Sequence, residues 1–312
     1  MLHVAVAIIK NPKQEVLVAK RPPASHQGNL WEFPGGKIKL DETVFSALQR
    51  EIIEEVGLRI QEAYPFVKIY HNYGDKQVLL DVWQVTRFEG EAVGREGQKV
   101  QWLAPEAMEN FKFPGANLRI VKLLQLPTRM AITPQFECLS QLAAYLDLLR
   151  NNDVGAVQIR QKHLTLDQSL DWARSSLEIL GDRGPLVILN GPLKLWQYLP
   201  SGVGLHLTSA EFGSLQESLS KRLSFLGCSC LSKQDLHKAE TLGFDYAFLS
   251  PQPVTSNLSD KTPLNWRGFK ELAASVSLPV YALVDMNRFD VSTALAHGAV
   301  GIAGITALLD PK

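Results

Sequence analysis

The sequence predicts two domains, an α+β domain over residues 1–128 and an α/β, (β/α)8 barrel over residues 129–312. Two observations carry this. Up to about residue 126, strand-like and helix-like stretches are interleaved without a regular rhythm, the pattern of an α+β domain. Beyond Pro127, eight short apolar runs recur with helical segments between them. These runs lack polar alternation, as strands covered on both faces do, and eight such units close a barrel. The 312-residue length suits two domains better than one.

In the first domain, LHVAVAII and EVLVAKR read as strands joined by a turn at Asn11-Pro12. Residues 43–56 read as a helix, with Thr43 as its N-cap and Gly57 just past its end. Phe45, Leu48, Ile52 and Val56 recur at helical spacing and face a core. VLLDVWQV and KVQWL are further strands, and ANLRIVKLLQL is a helix that stops at Pro127. The barrel strands are RMAIT, VGAVQIR, PLVILN, GVGLHL, LSFLGCS, FDYAFLS, PVYALV and AVGIAG. A doubly wound open sheet is the other architecture such a rhythm permits. The boundary falls at residues 127–129.

Composition narrows the partners. The chain has 32 basic and 32 acidic residues, so its formal net charge is zero. No global field draws it onto a nucleic-acid polymer or an anionic membrane. No apolar run reaches the roughly 18 residues of a spanning helix. The opening MLHVAVAIIK lacks the basic region and cleavage site of a signal peptide, and a cytoplasmic location is expected. Cys138, Cys228 and Cys230 fit neither a disulfide framework nor zinc spacing. They read as small core residues in a reducing compartment.

The chemistry concentrates at the helix over 43–56. Glu51, Glu54 and Glu55 stand at i, i+3 and i+4, so they share one face and one turn. Like charges there repel by about 0.2–0.5 kcal/mol per pair. They also lie in the last turns, where the helix dipole disfavours anions. A solvated acidic face is one reading of this. A bound cation that reverses the sign is the other, and hard oxygen ligands imply Mg²⁺ or Mn²⁺. The wider pattern decides. The stretch fits G-x5-E-x7-R-E-U-x-E-E-x-G-U, U being aliphatic, at Gly36, Glu42, Arg50, Glu51, Ile52, Glu54, Glu55, Gly57 and Leu58. Chance agreement at the single-residue positions is on the order of one in a billion per start site.

This pattern is the Nudix box, and residues 1–126 resemble the Nudix hydrolases, within them the MutT type, the 8-oxo-dGTP diphosphatases. NLWEFPGGK precedes the box, GREGQ follows at 94–98, and FPGANLRIVKLL closes the domain. The resemblance implies a Nudix fold, a mixed sheet with flanking helices. It implies Mg²⁺-dependent hydrolysis of a small nucleotide, 8-oxo-dGTP, to 8-oxo-dGMP and pyrophosphate, a role in mutation avoidance beside DNA replication and repair. Its metal ligands would be the Gly36 carbonyl, Glu51, Glu54, Glu55 and Glu96. Glu51 would be the general base, with Glu96 as the competing choice. Arg50 would orient the glutamates, and Glu42 would brace the loop–helix junction. Asn117 would read the oxidised base, Phe33 would line its pocket, and Arg21 would lie near the nucleotide. Tyr73 stands where a second ring could face the base. Each has a plainer reading: Phe33 as core, Asn117 as a helix cap, Arg21 as a solvated charge, Tyr73 as a surface ring. Nothing marks out His26 or His71. A diphosphatase for thiamine-related diphosphates is the alternative, motivated by the second domain.

Residues 129–312 resemble thiamine phosphate synthase and its TenI-like relatives, a TIM-barrel family. QIRQK at 158–162, LHL at 205–207, GCS at 227–229, SPQPVT at 250–255 and GIAGIT at 301–306 carry the likeness. Arg160 and Lys162 match residues that would meet a substrate diphosphate. Asn190 and His206 complete the candidate ligand site. The family's Asn-Asp-Arg after the third strand is Asn190-Gly191-Pro192 here, and its phosphate-binding glycine pair is Val284-Asp285. Thr208 and Ser209 replace the glycine and glutamine that follow the His-Leu pair. An aspartate repels phosphate where glycines would admit it. The implied barrel is a degenerate one that binds a ligand or supports the first domain, with synthase activity as the alternative.

Overall fold

The computed structural model describes residues 1–150, 152–181, 184–219, 224–250, 265–283 and 290–305. It divides into two compact units, Met1–Gln125 and Leu126–Lys312.

The first unit contains, in chain order, β1 (Leu2–Ile9), β2 (Val16–Lys20), β3 (Trp31–Glu32), β4 (Gly35–Lys37), α1 (Val44–Val56), β5 (Arg59–Asn72), β6 (Gln77–Glu89), β7 (Val100–Leu103) and α2 (Gly115–Leu123). A four-stranded mixed sheet has the order β4-β1-β6-β5, and a smaller sheet the order β3-β2-β7. Strand β1 runs parallel to β6 and antiparallel to β4. Helix α1 begins where its cap predicts: the Ser46 N–H donates to Thr43 Oγ1 at 3.1 Å. It ends at Gly57, whose φ of 76° suits glycine. Leu48, Ile52 and Val56 are buried against Ala5, Ala7, Ile9, Leu17 and Ile60. Phe45 is only partly buried and leans on Trp83, ring centroids 6.2 Å apart.

Strand β5 is absent from the expected strands. Pro65 interrupts its pattern, and three register shifts break its alternation, one beside that proline. The proline is tolerated because β5 is an edge strand of its sheet, so no ladder bond is lost on the open side.

The second unit is a closed parallel barrel of β8 (Arg129–Ile132), β9 (Ala156–Ile159), β10 (Leu186–Asn190), β11 (Gly204–Leu207), β12 (Leu226–Cys230), β13 (Tyr246–Leu249), β14 (Val280–Leu283) and β15 (Gly301–Gly304). Each falls on one of the eight apolar runs. Pairing of β15 with β8 closes the ring and removes the open-sheet alternative. Val157, Ile159, Val187, Leu189, Leu205 and Leu207 belong to the core shared with the surrounding helices. The alternate residues point into the barrel, as the pleat requires. There Tyr246, Phe248 and Tyr281 meet with centroids 5.5–5.9 Å apart, and the Tyr246 ring occupies the space a Cβ on Gly227 would need. Cys228 and Cys230 are buried, as expected of core residues, whereas Cys138 is exposed. Among the described residues no helix is long and apolar enough to cross a membrane.

Candidate active site

Two glycines let β4 approach its neighbours closely, Gly35 toward β1 and Gly36 toward α1. Gly35 has φ of +152°, and the Ala5 carbonyl stands where its Cβ would be. At Gly36 the Glu51 carboxylate fills that space. A side chain at Gly35 would clash with the backbone of β1, and one at Gly36 would displace the Glu51 carboxylate. The Gly35 N–H donates to Glu55 Oε2 at 3.0 Å, joining strand to helix.

Arg50 organises the outer part of the cluster. Its Nε donates to Glu42 Oε1 at 2.6 Å and its Nη2 to Glu42 Oε2 at 2.7 Å, a bidentate pair. Its Nη1 donates to Glu51 Oε1 at 2.5 Å, and Nη2 also reaches the Lys37 carbonyl at 3.1 Å. Glu54 Oε2 lies farther out, at 3.5 Å, and Glu54 is exposed. Hydrogen bonds from Arg50 hold the Glu42 carboxyl down to about 2.

Glu96 is exposed on the loop between β6 and β7, and this loop covers the end of α1. The Glu55 carbonyl accepts from the Arg95 N–H at 2.8 Å and from Gln98 Nε2 at 3.1 Å. The Val56 carbonyl accepts from the Val93 N–H at 3.0 Å. A Cβ on Gly57 would stand 2.8 Å from Arg95 Nε, so that guanidinium lies over the helix end. The acidic last turns therefore have satisfied carbonyls and a cation beside them, which offsets part of the dipole cost.

The inner carboxyl is the exceptional one. Burial pushes Glu55 up to about 8 against the Gly35 hydrogen bond, and Glu32, Glu96 and Glu51 nearby push the same way. Among the described residues no group of three His, Cys, Asp or Glu side chains is arranged to hold a metal ion. Glu51 is drawn to Arg50, and Glu55 to Gly35. The donor chemistry still fits a hard divalent cation: these are carboxylate oxygens, and Glu32, Glu51 and Glu96 already load negative charge onto Glu55, where added positive charge is favourable.

A cleft of about 110 Å³ opens beside this cluster. Arg21, Phe33, Tyr73 and Asn117 all line it. Phe33 is both core and wall: it is 3% exposed and stacks on Phe113 at 5.6 Å. Asn117 is not a helix cap, because α2 starts at Gly115 and Pro114 holds the cap position. Nor is Arg21 a solvated charge: it pairs with Glu32, and its Nε donates to the His26 carbonyl at 2.9 Å. The Tyr73 ring packs edge to face with His26 at 5.1 Å and with His71 at 4.4 Å.

The cleft also holds residues that sequence reasoning passed over, His26, Glu32 and Lys76. Burial pushes the Glu32 carboxyl up despite its Arg21 partner. Its position directly before Phe33 in EFPGG was the available signal. His26 and Lys76 come from a loop and a hairpin tip, which no periodicity marks.

In the barrel, His206 points inward and is 1% exposed. Its Nε2 lies 2.9 Å from Ser229 Oγ and its Nδ1 3.2 Å from Tyr246 Oη. Burial pushes it down to about 3, so it stays neutral. Asn190 Nδ2 donates to the His206 carbonyl at 3.2 Å. Arg160 is half-buried beside β9 and Lys162 is exposed. Most of SPQPVT, Val284-Asp285 and Thr306 lie outside the described residues.

Comparison with known proteins matches both halves. The NUDIX domain model covers residues 5–123, and the thiamine monophosphate synthase model covers 129–308. The 8-oxo-dGTP diphosphatase of Escherichia coli (strain K12) is 38% identical over 124 residues, 40% of this chain and 96% of that protein. The CTP pyrophosphohydrolase of the same organism is 31% identical, over 39% of this chain and 90% of that protein. The thiamine-phosphate synthase of Methanoregula boonei (strain DSM 21154 / JCM 14090 / 6A8) is 31% identical, over 49% of this chain and 72% of that protein. The chain therefore belongs to two families at once, the Nudix hydrolases through its first unit and the thiamine monophosphate synthases through its second.

Proposed function

We propose that the first unit is a Mg²⁺-dependent diphosphatase, with Mn²⁺ as a substitute ion, that hydrolyses 8-oxo-dGTP to 8-oxo-dGMP and pyrophosphate in the cytoplasm. The observation that carries this reading is the cleft. Arg21, Phe33, Tyr73 and Asn117 line one space that also reaches Gly35, whose N–H holds Glu55. A base at the Phe33–Asn117 end would leave its phosphates toward the glutamates.

The Gly36 carbonyl, Glu51, Glu54, Glu55 and Glu96 would hold the ion. A divalent cation in such a site neutralises phosphate charge and acidifies a bound water. Glu51 would accept the proton of the attacking water, with Glu96 as the competing base. Arg50 keeps Glu51 oriented through its 2.5 Å hydrogen bond. Asn117 offers a donor and an acceptor on one amide, and a site built on such bonds discriminates strongly. Removal of the oxidised nucleotide would keep it out of DNA.

A second reading has its own observation: the same chain carries a thiamine monophosphate synthase domain over 129–308. The first unit would then act on thiamine-related diphosphates, beside a barrel that is degenerate or still a synthase. An initial-rate panel on the full chain with Mg²⁺ separates the two. The first reading predicts 8-oxo-dGMP and pyrophosphate as products and 8-oxo-dGTP as the preferred substrate. Preference for a thiamine-related diphosphate would replace it with the second.

A further inference from the structure

Helix α2 carries Asn117 in its first turn, yet it has no cap of its own. Pro114 holds the N-cap position and supplies no side-chain hydrogen bond. A helix start leaves several N–H groups without intrahelical partners. The Ala116 N–H is one of them, and it donates to Tyr73 Oη at 3.2 Å, across 43 residues of sequence. His71 packs against the same turn. A Cβ on Gly115 would stand 3.0 Å from both His71 Cε1 and Nε2, so glycine lets the hairpin end close on the helix.

The same tyrosine reaches the opposite wall. Its ring meets the His26 ring edge at 5.1 Å, and Asp75 Oδ2 lies 3.6 Å from His26 Nε2. Tyr73 thus joins three segments around the cleft: the loop with Arg21 and His26, the β5–β6 hairpin, and α2. Among the described residues the Asn117 amide has one hydrogen bond to fix it. Its Oδ1 accepts from the Phe33 N–H at 3.4 Å, long for such a bond. Its position follows the helix backbone, and the backbone is tied down at Ala116.

We propose that Tyr73 is a specificity-determining positioning residue: its hydroxyl anchors the first turn of α2 and so sets where Asn117 stands in the cleft. This rests on the reading of the cleft as the base site. Recognition by a single amide needs placement to within about 0.5 Å, and a free helix start does not provide it.

The test is Tyr73→Phe in the full chain, which removes the hydroxyl and keeps the ring. Two quantities are read, hydrogen exchange at the Ala116 amide and kcat/KM with Mg²⁺ for 8-oxo-dGTP and dGTP. Exchange at Ala116 is expected to accelerate about five-fold, the factor for one neutral hydrogen bond. The kcat/KM ratio of the two nucleotides is expected to fall by about the same factor, through KM for 8-oxo-dGTP. Unchanged exchange would overturn the anchor. A uniform loss on both nucleotides would overturn the positioning role and leave a structural one. Gly115→Ala, whose Cβ would press on the His71 ring at 3.0 Å, perturbs the same turn and is expected to move both quantities in the same directions by less. If the wild type does not prefer 8-oxo-dGTP, that substrate assignment fails on its own. The Tyr73 claim is then decided by Ala116 exchange and by whichever two nucleotides the wild type does separate.

Discussion

Two polar groups, Glu55 in the first unit and His206 in the barrel, meet burial in opposite ways. In the first, Glu55 is buried beside Glu32, Glu51 and Glu96 and pushed up to about 8. In the barrel, His206 is more fully enclosed, at 1% exposed, but it is neutral and bonded at both ring nitrogens to Ser229 and Tyr246. The Phe248 ring covers it at 4.2 Å. Crowded carboxylates work against the fold unless something else requires them, so their retention points to chemistry. A neutral, mutually bonded network needs no ligand to be stable. Gln158 and Arg129 on the barrel strands are exceptions, with Gln158 Nε2 and Arg129 Nε buried and without a hydrogen-bond partner among the described residues. A site is marked by electrostatics that the fold alone would not choose.

Substitutions on the two sides should therefore separate activity from stability. The largest effect is expected at Glu51→Gln, with kcat down about 100- to 10,000-fold and a melting temperature close to wild type. A rate within ten-fold of wild type would remove Glu51 as the base. Phe248→Ala should do the reverse. It is expected to cost about 3–5 kcal/mol of barrel stability, read by chemical denaturation, with nucleotide turnover unchanged where the protein is folded. Lost turnover in that folded variant would show that the barrel takes part in the reaction.

A smaller effect is expected from pH. The folded Glu55 carboxyl titrates near 8, above its ordinary 4.5. Without metal, the folded state holds its proton more tightly than the unfolded chain does. Stability from this group is full below 4.5 and declines as pH rises toward about 8. Glu55→Gln should remove that decline and stabilise the metal-free protein at pH 8 by up to roughly 4 kcal/mol. A steeper alkaline decline in the variant would contradict this. Glu42 has the opposite sign. Its folded value near 2 lies below 4.5, so its contribution is full above 4.5 and is lost as pH falls toward 2. Glu42→Gln should flatten the acid limb of the melting curve, the smallest change of the set.

Much of this was legible in the sequence, and the remainder has physical reasons. The barrel strands stood out because both faces of each are covered, which leaves uninterrupted apolar runs. Helix α1 showed its cap, its core face and its glycine stop. Strand β5 stayed hidden because Pro65 and the bulges disrupt its alternation. In the cleft, Arg21, Phe33, Tyr73 and Asn117 were legible by resemblance. Glu32, His26 and Lys76 enter through tertiary contacts between segments distant in sequence. The cover that Arg95 and Gln98 give to the end of α1 was equally invisible, and it answers why an acidic turn is tolerated there.

In the proposed reaction the cleft reads an oxidised base while the glutamates serve its phosphates. The most direct measurement is the kcat/KM ratio of 8-oxo-dGTP to dGTP, with Mg²⁺, in the wild type and in Asn117→Ala. The wild type is expected to show a large preference for 8-oxo-dGTP that falls at least ten-fold in the variant, while dGTP turnover changes little. Equal turnover of the two nucleotides by the wild type, or a preference that survives the loss of Asn117, would contradict it.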